Sequence, residues 1–580
     1  MSDFERDYAH ELSLLRTQGK SFAAAHPHNA GHLDLGGGDP DIERLLEGFA
    51  FISAGIRAQI DDATGLFARR LLTSLGPHWI RPTPPATVVE FRPDLRVIRS
   101  VQRLARGKEL LASPIDGVCA RFTTAADVDL APIELLQLEH LRHRQGRRSL
   151  RVRLRASDAG TAVLPKLDHL RLFIHHRDPT VTATLRMWLT RYCTGVRVDE
   201  GGGEGETGVP PRLTLPFADP SARLQPWPEA TPPAIRALVE GLAYPELAGF
   251  VDLHGLRELH LEGPEFSLVF DFEARDDQPP LPELPTKLPE STIRLHCAPA
   301  LNLFATTGEP FEHHPGDRPH LLRADGTSKR HMEVFTVTDV TIDGRPALRR
   351  LCGVLPADDI SATYEIDRSP GHGGVGECRL AIEAPPPATD DDRPALVSTR
   401  LLCTNGDLAH HLGVGSLGHG PRHLLLEAAT NITAVSPPQR PPLGSDRCWR
   451  LLDHLGLRAR PLASAAALRD LLTLHGPPAD LEDSRGPLSQ RSIAAIRGLQ
   501  RRRSYQIVDD VPTPVLETTV EVDTRGLACL AEAELLGELL DRVIADFAGF
   551  DAASVLAIRL FPAGGQLDWP LRPPTSSERR

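Results

Sequence analysis

Apolar residues recur at helical spacing over a longer run between positions 39 and 75 than anywhere else in the chain, in DPDIERLLEGFAFISAGIRAQIDDATGLFARRLLTSL. At 100° per residue, Ile42, Leu46, Phe49, Ile56, Ile60, Phe67 and Leu71 share one face, with Leu45, Ile52 and Leu75 at its margins, a stripe about 140° wide. Glu43, Arg44, Glu47, Asp61, Asp62 and Arg69 take the other side. Asp39 is a good N-cap, Pro40 sits where a missing N–H costs nothing, and Asp41 and Glu43 put negative charge in the first turn. The pattern predicts one helix, about 54 Å long if continuous, with Gly55 and Gly65 as places where it could bend. Phe51 departs from the pattern, because it projects from the charged side, nearly opposite Phe49. Two readings follow: a core helix whose own chain covers Phe51, or a helix shared with another chain.

A shorter helix is expected over residues 2–25, with Phe4, Tyr8, Leu12, Leu15 and Phe22 on one face, and a Gly-rich link follows it. After Gly76-Pro77 the chain passes through Trp79 into WIRPTPPA, which cannot stay helical. The period then alternates. TVVEF at 87–91, GVCARFTT at 117–124, LRVRLRA at 150–156, HLRLFIHH at 169–176 and FSLVFDF at 266–272 read as strands. Helices interrupt them from Pro179 to about Cys193 and near 234–242. Beyond the proline-spaced QPPLPELPTKLP, further strands are expected in RLHCAPALNLF, MEVFTVTDVTI, RLAIEA, VSTRLLCTN and HLLLEAATNITAV. Helical periodicity returns from Trp449 through SAAALRDLLTLH and SQRSIAAIRGLQRRR, then a strand, TTVEVDT, and a helix over 533–547.

The expected architecture is therefore α+β and multidomain. It has an N-terminal helical region at 1–85, β-rich domains at 86–260 and 261–447, a mixed α/β domain at 448–572 and a disordered tail at 573–580.

Composition narrows the function. A formal charge of −12 and a pI near 6.1 argue against a general binder of nucleic acid or anionic membrane. Neither an N-terminal signal pattern nor a run of eighteen apolar residues is present, so a soluble, cytoplasmic chain is expected. Its eight cysteines contain no C-x-x-C pair and suit reduced thiols.

Little in the sequence suggests catalysis. Gly413, Gly415 and Gly418 spell G-x-G-x-x-G, but a strand follows them where the dinucleotide fingerprint requires a helix. Cys403, His410, His411, His419 and His423 offer zinc-type ligands without a familiar spacing. His175-His176 and His313-His314 read as paired surface histidines. Arg151, Arg153 and Arg155 alternate with Val152 and Leu154, which predicts a basic strand face that is solvated or paired with acidic neighbours. No G-x-S-x-G or H-E-x-x-H occurs. A zinc- or nucleotide-dependent enzyme is the weaker reading, and an interaction protein without cofactor or metal the stronger.

Several segments resemble one family in order and spacing: YAHELSLLRTQGKSFAAAHP, DPDIERLLEGFAFISAGI and LGPHWIRPTPP at the start, then YPELAGFVDLHGL, CAPALNLFATTGEP, MEVFTVTDV, LLCTNGDL and CWRLLDHLGL. By them the chain is similar to the F subunits of the type VI secretion baseplate, known as TssF, ImpG or VasA. It departs from that pattern at Leu247, Ala248 and Gly249, at Leu457-Arg458, and at Ala552, Ala553 and Ser554. The resemblance implies a non-enzymatic wedge subunit with β-rich, wing-like middle domains. Two copies would join one G subunit (TssG) and dock K trimers (TssK), the sheath-connecting E subunit (TssE) and the spike hub (VgrG), with no nucleic acid and no membrane insertion. Assembly at the inner membrane would follow. A wedge protein of a phage tail, or of another contractile injection system, is the alternative. The resemblance also favours the shared-helix reading, which makes Ile42, Leu45, Phe49, Phe51, Ile56, Ile60, Phe67, Leu71 and Trp79 candidates for a partner interface.

Overall fold

A computed structural model of the full chain gives the architecture. It describes residues 3–573 apart from 27–39, 144–146, 159, 200–209, 211, 219–221, 230, 260, 262, 276–277, 327–330, 350–361, 370, 372–375, 384–393, 419–423, 442, 457–461, 463, 477–488, 509 and 549–551. The Gly-rich link after the first helix, the loop at 201–208, His419, His423, Leu457-Arg458 and nearly all of the 573–580 tail lie outside the described residues.

The protein is α+β and multidomain. Its N-terminus is a pair of helices, Asp3–Ala25 and Pro40–Leu75. Arg16 pairs with Glu43, and Arg57 Nη1 lies 2.6 Å from Glu11 Oε1, so the two helices run antiparallel. After the long helix a 3-10 turn, Pro77–Ile80, leads the chain into the β region.

One five-stranded sheet runs in the order 426–431, 86–93, 297–301, 121–124 and 109–111, so it draws strands from widely separated parts of the chain. Two four-stranded sheets follow. One is built of 133–142, 148–156, 265–272 and 193–199, the other of 212–214, 250–254, 169–174 and 293–295. Between residues 304 and 404 the chain forms two sheets over a common core that includes Phe304, Val340, Ile366, Leu380 and Leu401.

The C-terminal sheet pairs Ile496–Val508 with Val511–Asp523, and the latter runs parallel to Ala553–Phe561 with the helix Leu530–Asp546 between them. This helix shares one large core with the middle domain, including Leu185, Trp188, Leu238, Leu536 and Leu540.

Where the structure departs from the sequence pattern, local chemistry accounts for it. The segment SQRSIAAIRGLQRRR is helical only over Gln490–Ala494; the rest belongs to a thirteen-residue strand. Its partner, TPVLETTVEV, is β-branched and lies in register with it, so cross-strand pairing overrides the helix-compatible spacing. The helix capped by Asp178, whose carboxylate accepts from the Thr180 N–H at 2.9 Å, stops at Met187, and a π turn, Trp188–Tyr192, hands the chain to the strand Cys193–Asp199. The strand expected at 117–124 begins at Arg121, because Asp116 and Gly117 turn with φ of 49° and 79°.

Candidate partner interface

The long helix spans 36 residues as its sequence predicts, yet it turns the side opposite its apolar stripe towards its own chain. Between the two ion pairs to the first helix, Ala50 and Ala54 are fully buried; further along, Ala68, Arg69, Leu72 and Thr73 are buried. This arc centres about 140° round the helix from the apolar stripe. Small side chains there let neighbouring backbones approach closely. Ala68 and Leu72 pack with Ile80, Leu443, Cys448, Leu451 and Leu474, and Arg69 Nη1 donates to the Leu443 carbonyl at 3.0 Å.

The stripe itself is open. Leu45, Phe49, Ile52, Ile56, Phe67 and Leu75 are each between 54% and 61% exposed, and Leu71 is half-buried; Phe51, on the charged side, is 60% exposed. The reading of this face as the side buried in its own core is therefore overturned, since Ala50, Ala54, Ala68 and Leu72 do that work. Phe67 sits 6.1 Å, centroid to centroid, from Trp449, which is also exposed, so the patch continues onto the helix Ser445–Gly456. Leu14 and Phe22 of the first helix are exposed as well. The side chains of Ile42 and Ile60 lie outside the described residues.

Trp79 differs from the other candidates. It lies beside His78 at 4.7 Å and His475 at 5.8 Å and packs against the buried core at the base of the helix. A Cβ at Gly76 would meet its ring at 2.6 Å. Trp79 thus anchors the helix within its own chain. Burial, with Arg81 and Arg236 as lesser causes, drives His78 down to about 3; burial beside His454 and His78 does the same to His475.

The other chemistry-bearing residues fall into structural roles. Cys403 is buried in a strand, His410 Nδ1 lies 2.9 Å from the Val435 carbonyl and His411 Nδ1 2.7 Å from the Asp407 carbonyl. The G-x-G-x-x-G loop packs on a strand, where a Cβ at Gly418 would strike the Ala429 carbonyl at 2.0 Å. The basic strand is neutralised: Arg151 pairs with Glu139 and Asp199, Arg153 with Glu265 and Arg155 with Glu134.

Two ion networks have no counterpart in the sequence reading. His169 lies 3.2 Å from Asp252 and 3.6 Å from Asp129, which hold its pKa at about 9; Arg171 grips both oxygens of Asp252 at 2.7 and 2.9 Å. The fully buried Arg186 reaches Glu534 at 3.7 Å and also pairs with Glu538, while Arg191 Nε lies 3.2 Å from Glu534. These charges lock the helix Pro179–Met187 and the π turn after it to Leu530–Asp546.

Residues 1–575 match the family model described as Type VI secretion system, TssF. The chain belongs to the TssF family. This TssF-family chain is 26% identical over 636 aligned residues to the type VI secretion system component TssF1 of Pseudomonas aeruginosa, covering 98% of both proteins. Its fold is similar to a chain of the TssK-TssF-TssG baseplate subcomplex solved by cryo-electron microscopy, with a TM-score of 0.75 and 24% identity, over 91% of this chain and 98% of that one. A chain of the type VI secretion baseplate complex gives a TM-score of 0.63 at 23% identity, covering 98% and 99%. Among the described residues of the TssF-family chain, no helix is long and apolar enough to cross a membrane.

Proposed function

We propose that the chain is the F subunit of a type VI secretion baseplate wedge, a structural part in which two copies join one G subunit through their long helices. The observation that carries this reading is the exposed stripe from Leu45 to Leu75, on a helix that already satisfies its own chain with the opposite face. An apolar surface repeated over about eight turns is unfavourable in water and favourable in a bundle. Phe51, on the charged side of the same helix, is also exposed.

One solved relative is a chain of a TssK-TssF-TssG baseplate subcomplex, and membership of the TssF family brings that assembly to this chain as the first expectation. The wedge would then dock K trimers, the E subunit, the sheath and the spike hub on the cytoplasmic side of the inner membrane, with the β-rich domains turned outward to neighbouring wedges. The same reading makes the protein a mechanical component with no catalytic task.

Co-expression with the G subunit of the same system tests the proposal. Native mass spectrometry should report two copies of this chain with one G subunit. A stable monomer that ignores its G subunit would overturn it.

A further inference from the structure

Of the two clusters of ligand-type side chains among the described residues, one has no arginine or lysine at ion-pair distance. It lies in the loop HHPGDRPH that carries the chain from one sheet of the 304–404 region to the other. His313 ends the strand Phe311–His313, which pairs with Ala395–Thr404; His320 begins the strand His320–Leu321, which pairs with Glu377–Glu383. Between them Gly316, at φ 89°, turns the chain so that Asp317 faces both rings.

We propose that His313, Asp317 and His320 form a site for a divalent transition-metal ion of the zinc type, which staples the two sheets together. His313 Nδ1 is 3.3 Å from His320 Nε2, and Asp317 Oδ2 is 3.9 Å from the first and 3.7 Å from the second. A tetrahedral ion with bonds of about 2.0–2.2 Å places its ligand atoms roughly 3.3–3.6 Å apart. The triangle therefore needs to contract by only a few tenths of an ångström. Two imidazoles and a carboxylate suit zinc in both charge and softness. Water takes the fourth position; His314 Nδ1 lies 3.6 Å from the same Asp317 oxygen but outside the group formed by the other three.

The supporting contacts are already in place. The His320 ring stacks on Phe311 at 4.2 Å, and Asp317 Oδ2 accepts the His314 backbone N–H at 2.7 Å, which fixes two of the three ligands. Only 3% of His313 is exposed, so the expected surface pair divides into one buried and one exposed histidine.

The other grouping of this kind, His169, Asp252 and His254, makes a useful contrast. There Arg171 occupies both carboxylate oxygens, so the charge that would attract a metal is already spent. Among the described residues, the side chains at ion-pair distance from Asp317 are His313, His314 and His320, each of which is a ligand when neutral. The spacing His-x3-Asp-x2-His, folded back by Pro-Gly, is the signal the sequence carried.

The test uses the full-length chain, stripped with chelator and titrated with zinc chloride or cobalt chloride. One zinc per chain by elemental analysis after gel filtration, the visible bands of tetrahedral cobalt(II), and a melting temperature that rises with zinc are expected. Asp317→Asn and His320→Gln, at positions not fully buried, should each weaken binding at least about tenfold, and the double variant should lose the cobalt bands. Substoichiometric zinc in the wild-type chain overturns the proposal, as does zinc that both variants bind as tightly as the wild type does. The latter result would assign the metal to other histidines. If a variant fails to fold without metal, far-UV circular dichroism reveals it, and wild-type stoichiometry then decides.

Discussion

Phe49→Asp separates partner binding from folding. Phe49 is 61% exposed in the single chain, and full burial of such a side chain contributes about 1.5–3 kcal/mol, so covering what remains open is worth about 1–2 kcal/mol. Six comparably exposed stripe residues give roughly 6–11 kcal/mol, a sum of the order needed to offset the entropy of association. Aspartate at position 49 forfeits its share and carries a carboxylate into the interface. Neutralising that carboxylate at pH 7 costs about 4 kcal/mol from its ordinary pKa, which sets a ceiling on the penalty. The total, about 5–6 kcal/mol, corresponds to roughly a ten-thousandfold loss of affinity. The chain's own stability should move by no more than about 0.5 kcal/mol, because the position is solvated before assembly. Ala54→Asp is the counterpart: it buries a charge on the face that the chain itself covers and should destabilise the helical pair while leaving the stripe intact. Affinity co-purification with the G subunit, alongside thermal melts of each variant alone, reads both effects. Normal co-purification of Phe49→Asp, or a normal melt for Ala54→Asp, would refute the assignment of the two faces.

Glu534→Ala should cost about 3–5 kcal/mol in chemical denaturation, since it leaves Arg186 buried and short of a partner; an unchanged midpoint would show that the network is not holding these elements together. His169, raised to about 9 chiefly by Asp129 and then Asp252, contributes stability that is complete below its unfolded pKa near 6.5 and is lost as pH rises through about 9, so the melting temperature should fall over that interval and His169→Gln should flatten the fall. His78 and His475 behave in the opposite sense. Each stays neutral in the folded chain down to about 3 but takes a proton near 6.5 when unfolded, so stability should drop as pH falls below about 6.5, and His475→Phe should reduce that slope.

The existence and bounds of the long helix were legible from periodicity and capping, and of the two outcomes left open for Arg151, Arg153 and Arg155, solvated or paired, the structure shows pairing. Its orientation was not legible. Hydrophobic patterning ranks faces by apolar content, and that ranking gives the inward face only if one chain covers everything. Here the inward face is made of Ala50, Ala54, Ala68 and Leu72, which say little in such a ranking, while the richest face is open. The first strand of the long hairpin at 496–523 was misread for a related reason, while TTVEVDT in the second was read as a strand: the first is arginine-rich and helix-compatible, and only its pairing partner makes it a strand. His313 was misplaced because two adjacent histidines look like surface, whereas the strand ending at His313 turns one of them inward.

The anchoring of Trp79 bears on how this part could move. Among the described residues, the helix meets the body through its last turns, around Ala68, Leu72, His78 and Trp79, so Phe49 stands about 35 Å from that fulcrum. A small rotation at the base is magnified along such an arm, and a pull at its far end returns to the base as torque. The aromatic and histidine side chains there bear that load. Substitutions at Gly76, Trp79 or His475 should therefore alter how far the arm swings even where no partner touches them.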